Sequence, residues 1–162
     1  MKATSESVQQ RISMPQPRRY LRDGRAPIPA SDRTSRVMSA NRARDTGPER
    51  ELRRALHLAG APQFGVNDDS LPGRPDITFP ASRLAVFVHG CFWHHCPYCQ
   101  RDVPKSHPEF WRAKFRANAT RDRRKKEALN RLGWRVITIR ECRLRSNPEG
   151  TVARVMKKLG HV

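Results

Sequence analysis

The stretch HGCFWHHCPYC, residues 89 to 99, gathers three of the chain's four cysteines, three of its six histidines and three of its eleven aromatic residues. Thiolates and imidazoles bind metals and carry protons, and aromatic rings are stacking platforms. Cys91, Cys96 and Cys99 have C-x4-C-x2-C spacing, and Cys142 follows forty-three residues later. Zinc takes four nitrogen or sulfur ligands tetrahedrally, and thiolates suit it best in structural sites. These four thiols are the whole cysteine content of the chain. A closed set of protein ligands leaves no position for water, so the zinc expected here is structural and the chemistry must come from elsewhere. His95 or His107 could replace one thiolate, and metal-free buried cysteines are the blander reading.

Catalytic groups are expected around the same loop. Asp76 follows PGRP at the start of a strand, where a fixed carboxylate makes a good magnesium ligand. The apolar run ending at His89 should pair with that strand, which lets Asp76, His89 and His94 converge at one end of a sheet. Asp122 lies among Arg121, Arg123 and Arg124 in a basic segment, and Glu49 lies near the first helix start. An imidazole oriented by a carboxylate is a general base with a pKa near neutrality. Taken singly, Asp76 could be a turn residue, Asp122 a salt-bridge partner and Glu49 a capping residue.

The elements that must position these groups are legible in outline. Thr46 and Glu49 have capping-box spacing, with Pro48 in the first turn. Leu52, Ala55, Leu56 and Ala59 then recur at helical spacing, and Gly60 is a natural stop. LPGRPDITF is a turn feeding a strand. RLAVFVH reads as a strand buried on both faces. Pro108 opens a helix whose Phe110, Trp111, Lys114, Phe115 and Asn118 share one face, and it turns basic at RDRRKKEALNR. GWRVITIREC reads as a strand with Cys142 at its end. Asn147 and Pro148 start a last helix with Val152, Val155, Met156 and Leu159 on one face. The expected order is helix, two strands, helix, strand, helix, an α/β arrangement.

Composition points to the partner. The net charge of +18, from 33 Lys and Arg against 15 Asp and Glu over 162 residues, favours a polyanion. Residues 1–33 hold four prolines and no helical period, and are expected to be a disordered arm ahead of a domain over 34–162. Through residue 48 the arm carries ten cations against four acids, as a segment lying along nucleic acid does. No apolar run approaches the ~20 residues of a membrane span. The start does not read as a secretory signal. A cytoplasmic protein is expected, and cysteines there suggest metal before disulfides.

The segments RARDTGPERELRRAL, LPGRPDITF, FVHGCFWHHC, EFW and RDRRKKEALNRLGWRVITIREC resemble, in that order, the very-short-patch-repair (Vsr) DNA mismatch endonucleases. The resemblance covers about residues 34–146. It implies a restriction-endonuclease-like fold and a bacterial, nucleoid-associated enzyme, acting as a monomer on double-stranded DNA beside mismatch-repair proteins. It further implies nicking 5′ of the thymine in a T·G mismatch made by 5-methylcytosine deamination. By the same resemblance Asp76 binds Mg2+ and His94 is the catalytic histidine supported by Asp122. His89 and Glu49 arrange metal-bound waters and the phosphate. Cys91, Cys99 and Cys142 are zinc ligands, and Phe92, Trp93 and Trp111 enter the base stack. Two departures stand out. Cys96 takes the place of a family histidine among the zinc ligands. Val88 stands where the family has a threonine whose backbone carbonyl binds metal, and valine keeps that carbonyl. The usual Glu-x-Lys of the fold is absent, which leaves water activation to histidine. The competing readings are a zinc-stabilised, non-catalytic nucleic-acid-binding protein and a related nuclease of restriction or phage defence.

Overall fold

The computed structural model describes residues 44–99, 102–105 and 107–160. The arm expected over residues 1–33, and the first part of the domain expected from residue 34, lie outside the described residues. The elements are α1 (Gly47–Leu58), β1 (Gly65–Val66), β2 (Ile77–Phe79), a 3-10 turn (Pro80–Ser82), β3 (Leu84–His89), α2 (Pro108–Arg131), β4 (Arg135–Arg140), α3 (Glu141–Ser146) and α4 (Pro148–Leu159). They form one mixed four-stranded sheet in the order β1-β2-β3-β4. β1, β2 and β3 run antiparallel in turn, and β3 and β4 run parallel. Parallel neighbours need a crossover, and α2 supplies it.

Each face of the sheet has its own core. On one face Leu52 and Leu56 of α1, Leu144 of α3, and Val152 and Val155 of α4 cover Ile77, Phe79, Leu84, Val86, Ile137 and Ile139. On the other, Leu129 of α2 packs with Ala85 and Phe87, bordered by Leu71, Trp134 and Val136. β3 is thus covered on both sides, as its unbroken apolar run implies. Each fully buried aliphatic side chain contributes about 1.5–3 kcal/mol.

Helix ends follow local chemistry with one change. Gly60, at φ +70°, ends α1: its N–H reaches the His57 carbonyl, and Ala61 N–H reaches that of Leu56. That is the Schellman pattern, which needs a residue free to turn left-handed. Asn147 caps α4 by accepting from Gly150 N–H at 2.7 Å. The capping box expected at Thr46 and Glu49 does not form. Glu49 does reach back, but to Asp45 N–H at 2.8 Å, while the Thr46 hydroxyl binds the Glu49 carboxylate at 2.7 Å.

Two further expectations are corrected. The two-residue β1 and the six-residue α3 were not anticipated. Cys142 does not end a strand: β4 stops at Arg140, level with the last residue of β3, and Cys142 sits in the first turn of α3. The ladder ends because its partner ends there.

Leu52 is 0% exposed in the larger core. Leu52→Ala is expected to cost about 2–5 kcal/mol. In urea the unfolding midpoint should fall while the m-value holds, and an unchanged midpoint would remove α1 from the core.

Candidate active site

The parallel strands end side by side at His89 and Arg140, the usual place for a site in an α/β sheet. β2 runs the other way, so its beginning meets the end of β3. Asp76, one residue before β2, donates its N–H to the Val86 carbonyl at 3.0 Å. Its carboxylate accepts from Val88 N–H at 2.6 Å. The recorded contact between these residues therefore uses the amide of Val88.

Burial pushes Asp76 from the ordinary 3.8 up to about 6; the Val88 bond pulls back, and the Glu49 charge adds to the rise. Glu49 is 4% exposed, so it is a buried charge and more than a cap. Arg53 lies 3.9 Å from Glu49 and 2.6 Å from Asp45. A buried and a half-buried carboxylate close enough for the charge of one to raise the other favour a nearby cation, and a hard oxygen donor set suits Mg2+. The donors present therefore fit that metal.

The second group is a histidine pair on a carboxylate. His94 Nδ1 lies 2.7 Å from Asp122 Oδ2. The His94 ring stacks on His89 at 3.6 Å between centroids and 12° between planes. His89 Nδ1 is 3.9 Å from the same carboxylate oxygen and is buried without a hydrogen-bond partner. Burial, then the charge of His94, lowers His89 to about 3, so it stays neutral at any working pH. Burial raises Asp122, but the His94 hydrogen bond and the nearby His89 and Lys125 outweigh it and hold it below the ordinary value. Asp122 is an anion that accepts from His94 Nδ1–H, which leaves Nε2 as the basic nitrogen.

Lys125 was not singled out from the sequence, yet it lies between the two groups. Its Nζ is 4.0 Å from Asp122 Oδ1, and its charge lowers the pKa of Asp76 and of Asp122. It lies 5.7 Å over the Phe87 ring, and its stem crosses Gly73, where a Cβ would come within 2.5 Å of it. Gly73 is therefore required, both for that crossing and for its φ of +81°. The only local signal was a cation three residues after Asp122, hidden in a run of seven charges.

The cysteines converge as their spacing suggested. The Sγ atoms of Cys91, Cys96, Cys99 and Cys142 all lie within 4.8 Å of one another. The Cys96–Cys142 separation is 3.7 Å. Sulfurs at the corners of a tetrahedral zinc site lie about 3.8 Å apart, given Zn–S near 2.3 Å. Against the opposing pull of burial, the backbone N–H groups of Tyr98 and Cys99 lower Cys96 to about 7, an environment that suits a thiolate ligand. The cluster contains no histidine. His95, with φ +41°, reverses the chain so that Cys96 N–H reaches the Cys91 carbonyl at 3.0 Å, and its ring stacks on Phe115 at 4.8 Å. His107 occupies the residue before α2. Neither is a member of the thiol cluster.

Phe92 and Trp93 are both half-buried, edge to face at 5.1 Å. Trp111 is 7% exposed and lies beneath them, 5.1 Å from Phe92 and 6.2 Å from Trp93. Asn118 donates to the Trp93 carbonyl at 2.8 Å and fastens the loop to α2. Arg121, Arg123 and Arg124 are exposed on that helix, and Arg121 donates to Asn118 Oδ1 at 3.2 Å.

A mixed sheet between helices, with a metal-type carboxylate and a carboxylate-held histidine at its strand ends, defines an α/β fold of the nuclease kind. The family described as "DNA mismatch endonuclease Vsr" matches residues 28–101. The Escherichia coli strain K12 "DNA mismatch endonuclease Vsr" is 42% identical over 125 residues, 77% of this chain and 80% of that protein. "Type II nicking enzyme V.XorIIP" of Xanthomonas oryzae pv. oryzae is 42% identical over 113 residues, 70% of this chain and 82% of that one. "Type II nicking enzyme V.NaeI" of Lentzea aerocolonigenes is 38% identical over 143 residues, 86% and 84% of the two chains. This chain belongs to the Vsr family.

Because the folded pKa of Asp76 exceeds the unfolded one, its ionisation costs stability. That cost is absent below 3.8 and complete once the pH has passed about 6. Metal-free Asp76→Asn is therefore expected to melt above wild type at about pH 7.5, with a smaller gain at about pH 5. Paired melts in chelator measure this, and a variant that melts lower at the higher pH would contradict the assignment.

Proposed function

We propose that this protein is a DNA endonuclease that nicks one strand 5′ of the thymine in T·G mismatches arising from 5-methylcytosine deamination. Its setting is very short patch repair in the bacterial cytoplasm, on nucleoid DNA, as a monomer working beside mismatch-repair proteins. One observation carries the reading: His94 on Asp122 at 2.7 Å, beside the desolvated Asp76, in a chain with mismatch-endonuclease and nicking-enzyme relatives. A restriction-endonuclease-like core accommodates this arrangement.

Asp76, with the Val88 carbonyl and the scissile phosphate, would hold Mg2+, with Glu49 placing its waters. When bound, the ion neutralises charge on the phosphoryl oxygens and the leaving oxyanion. His94 Nε2 takes a proton from the attacking water, and Asp122 stabilises the imidazolium that results. His89 stays neutral and backs the His94 ring, so it adds no competing charge. Lys125 supplies a fixed cation beside the developing phosphoryl charge. The water oxygen bonds to phosphorus as the phosphorus–O3′ bond breaks. The products are a 5′-phosphate and a 3′-hydroxyl.

Arg121, Arg123 and Arg124 contact the DNA backbone. Phe92 and Trp93, braced by Trp111, wedge into the stack. Unstacking costs a few kcal/mol per step and less at a mismatch, which favours the damaged site. Relatives named as type II nicking enzymes support a companion reading, the same chemistry in restriction or defence.

The cysteine cluster is assigned a structural Zn2+. We expect about one zinc per chain and a marked fall in melting temperature for Cys142→Ser, because metal binding is part of the folding free energy. Freshly purified protein that lacks zinc and titrates four thiols would rule this out.

Nicking of duplexes that differ only in one T·G or T·A pair tests the function. Asp76→Ala should bind DNA but not cut it. His94→Ala should lose ~10²–10⁴-fold in rate, and adding Asp122→Asn should cost little more, since residues acting as a unit are non-additive. Phe92→Ala with Trp93→Ala should keep the fold and lower the T·G to T·A rate ratio. No Mg2+-dependent cutting of either duplex would sink the nuclease reading; an unchanged ratio with a large drop in melting temperature would sink the wedge.

A further inference from the structure

β4 is an edge strand, and a cleft of about 350 Å3 opens beside it, between the tip of the cysteine loop and the first turns of α4. Its walls include Tyr98, Arg140 at the end of β4, Arg143 on α3, and Asn147 and Arg154 on α4. Three arginines line it and no carboxylate does. None of the three forms an ion pair among the described residues, whereas Arg145 nearby is paired with Glu141 at 2.8 Å. The Arg143 guanidinium rests 4.6 Å over the exposed Tyr98 ring, a position that leaves its N–H fork free. Nη1 of Arg140 is buried with no hydrogen-bond partner. A guanidinium cannot discharge itself, so a buried unpaired donor on it calls for an anion or a water. The amino end of α4 adds positive potential to the same cleft.

Three arginines lining one cleft, a helix start and no acid suit a tetrahedral oxyanion, and arginine matches phosphate oxygens bidentately. The position says which phosphate. Arg140 is the register partner of His89, so the cleft begins one strand, about 4.8 Å, beyond the catalytic pair. An anion that repeats along a chain reaches both places.

We infer that the β4-edge cleft binds a phosphodiester of the DNA substrate outside the one that is cut. Arg140, Arg143 and Arg154 grip its oxygens and add affinity to the strand that reaches His94. The assignment rests on the DNA reading above, although the cleft is judged by binding alone.

The test uses the full chain carrying Arg143→Gln and Arg154→Gln. Arg140 is left in place because it adjoins His89. Affinity for T·G and matched duplexes is measured across a salt series, beside single-turnover nicking at saturating DNA. The double variant should bind both duplexes more weakly by roughly one order of magnitude, and its slope of log K against log salt should shrink by about 1–2, near 0.9 per lost phosphate. Its cutting rate at saturation should hold. Lysine at both positions should restore most of the slope, which separates loss of charge from damage to the fold. An unchanged slope and affinity in the glutamine variant would overturn the inference. So would a variant that loses binding of inorganic phosphate yet keeps the DNA slope, since the cleft would then serve a small phosphorylated ligand. If wild type binds DNA with the expected slope but nicks nothing, the nuclease reading falls and the cleft stands.

Discussion

His94, three of the four thiols and the aromatic pair hang from a loop with almost no core of its own. Residues 90–99 form successive turns, and only Cys91 and Cys96 of the loop are buried. Such a segment cannot be held by hydrophobic burial, so polar ties must hold it. The thiol cluster joins it to α3, Glu141 accepts from Cys91 N–H at 3.1 Å, Asn118 grips the Trp93 carbonyl and Asp122 grips His94. These ties reach two different elements, α2 and α3. A metal held by the four sulfurs, as proposed above, would be the strongest of them, because it would fix several backbone directions at once and its binding energy would enter the folding free energy directly. Without that node the histidine and the aromatic pair would lose their common frame.

The second constraint is electrostatic. In a chain of net charge +18 the proposed chemistry rests on three buried or half-buried carboxylates, Glu49, Asp76 and Asp122. Burial raises both Asp76 and Asp122, but the two end on opposite sides of the ordinary value. Asp122 has a hydrogen-bonded imidazole and a nearby lysine, and these hold it ionised. Asp76 has one amide donor and a second carboxylate, so it stays poised for a cation. Opposed shifts in neighbouring carboxylates are how one site assigns one group to a proton carrier and the other to a metal. The basic surface attracts DNA, while the catalytic acids are kept where that surface cannot pair them all.

How much of this was legible follows from how rare each residue type is. Four cysteines left little choice about which thiols could cooperate, so the thiol set could be read directly, whereas the His94–Asp122 pair came from the family resemblance. Lys125 and Arg53 could not, because cations are common here and only the fold says which one faces a carboxylate. The end of β4 was also hidden. Nothing in VITIREC marks Arg140 as the last residue of the strand; the limit comes from β3, fifty-one positions earlier in register, where His89 pairs with Arg140. α3 has a single buried residue, Leu144, too little for any periodicity. Glu49 was readable as a residue that reaches back, but its burial beside Asp76 depends on where β2 begins.

The aromatic cluster shows why a half-buried wedge is reasonable physics. Fully exposed rings on a loop would collapse onto the nearest apolar surface, and fully buried ones could not reach a base. Phe92 and Trp93 lie between these limits. Phe92 rests edge to face on Trp111 and Phe115, and Trp93 lies tilted over Trp111, contacts worth about 0.5–1.5 kcal/mol per pair beyond area. Leaving that bed for a base step exchanges one aromatic surface for another of similar strength, so the motion is nearly neutral. Trp111 is anchored in α2 and cannot follow, which makes it the floor from which the others move. The loop backbone, pinned on both sides by sulfur and Asn118, then limits how far they go. Rings that cost little to move and a backbone that cannot drift would together let a small difference in stacking energy decide where the proposed wedge inserts.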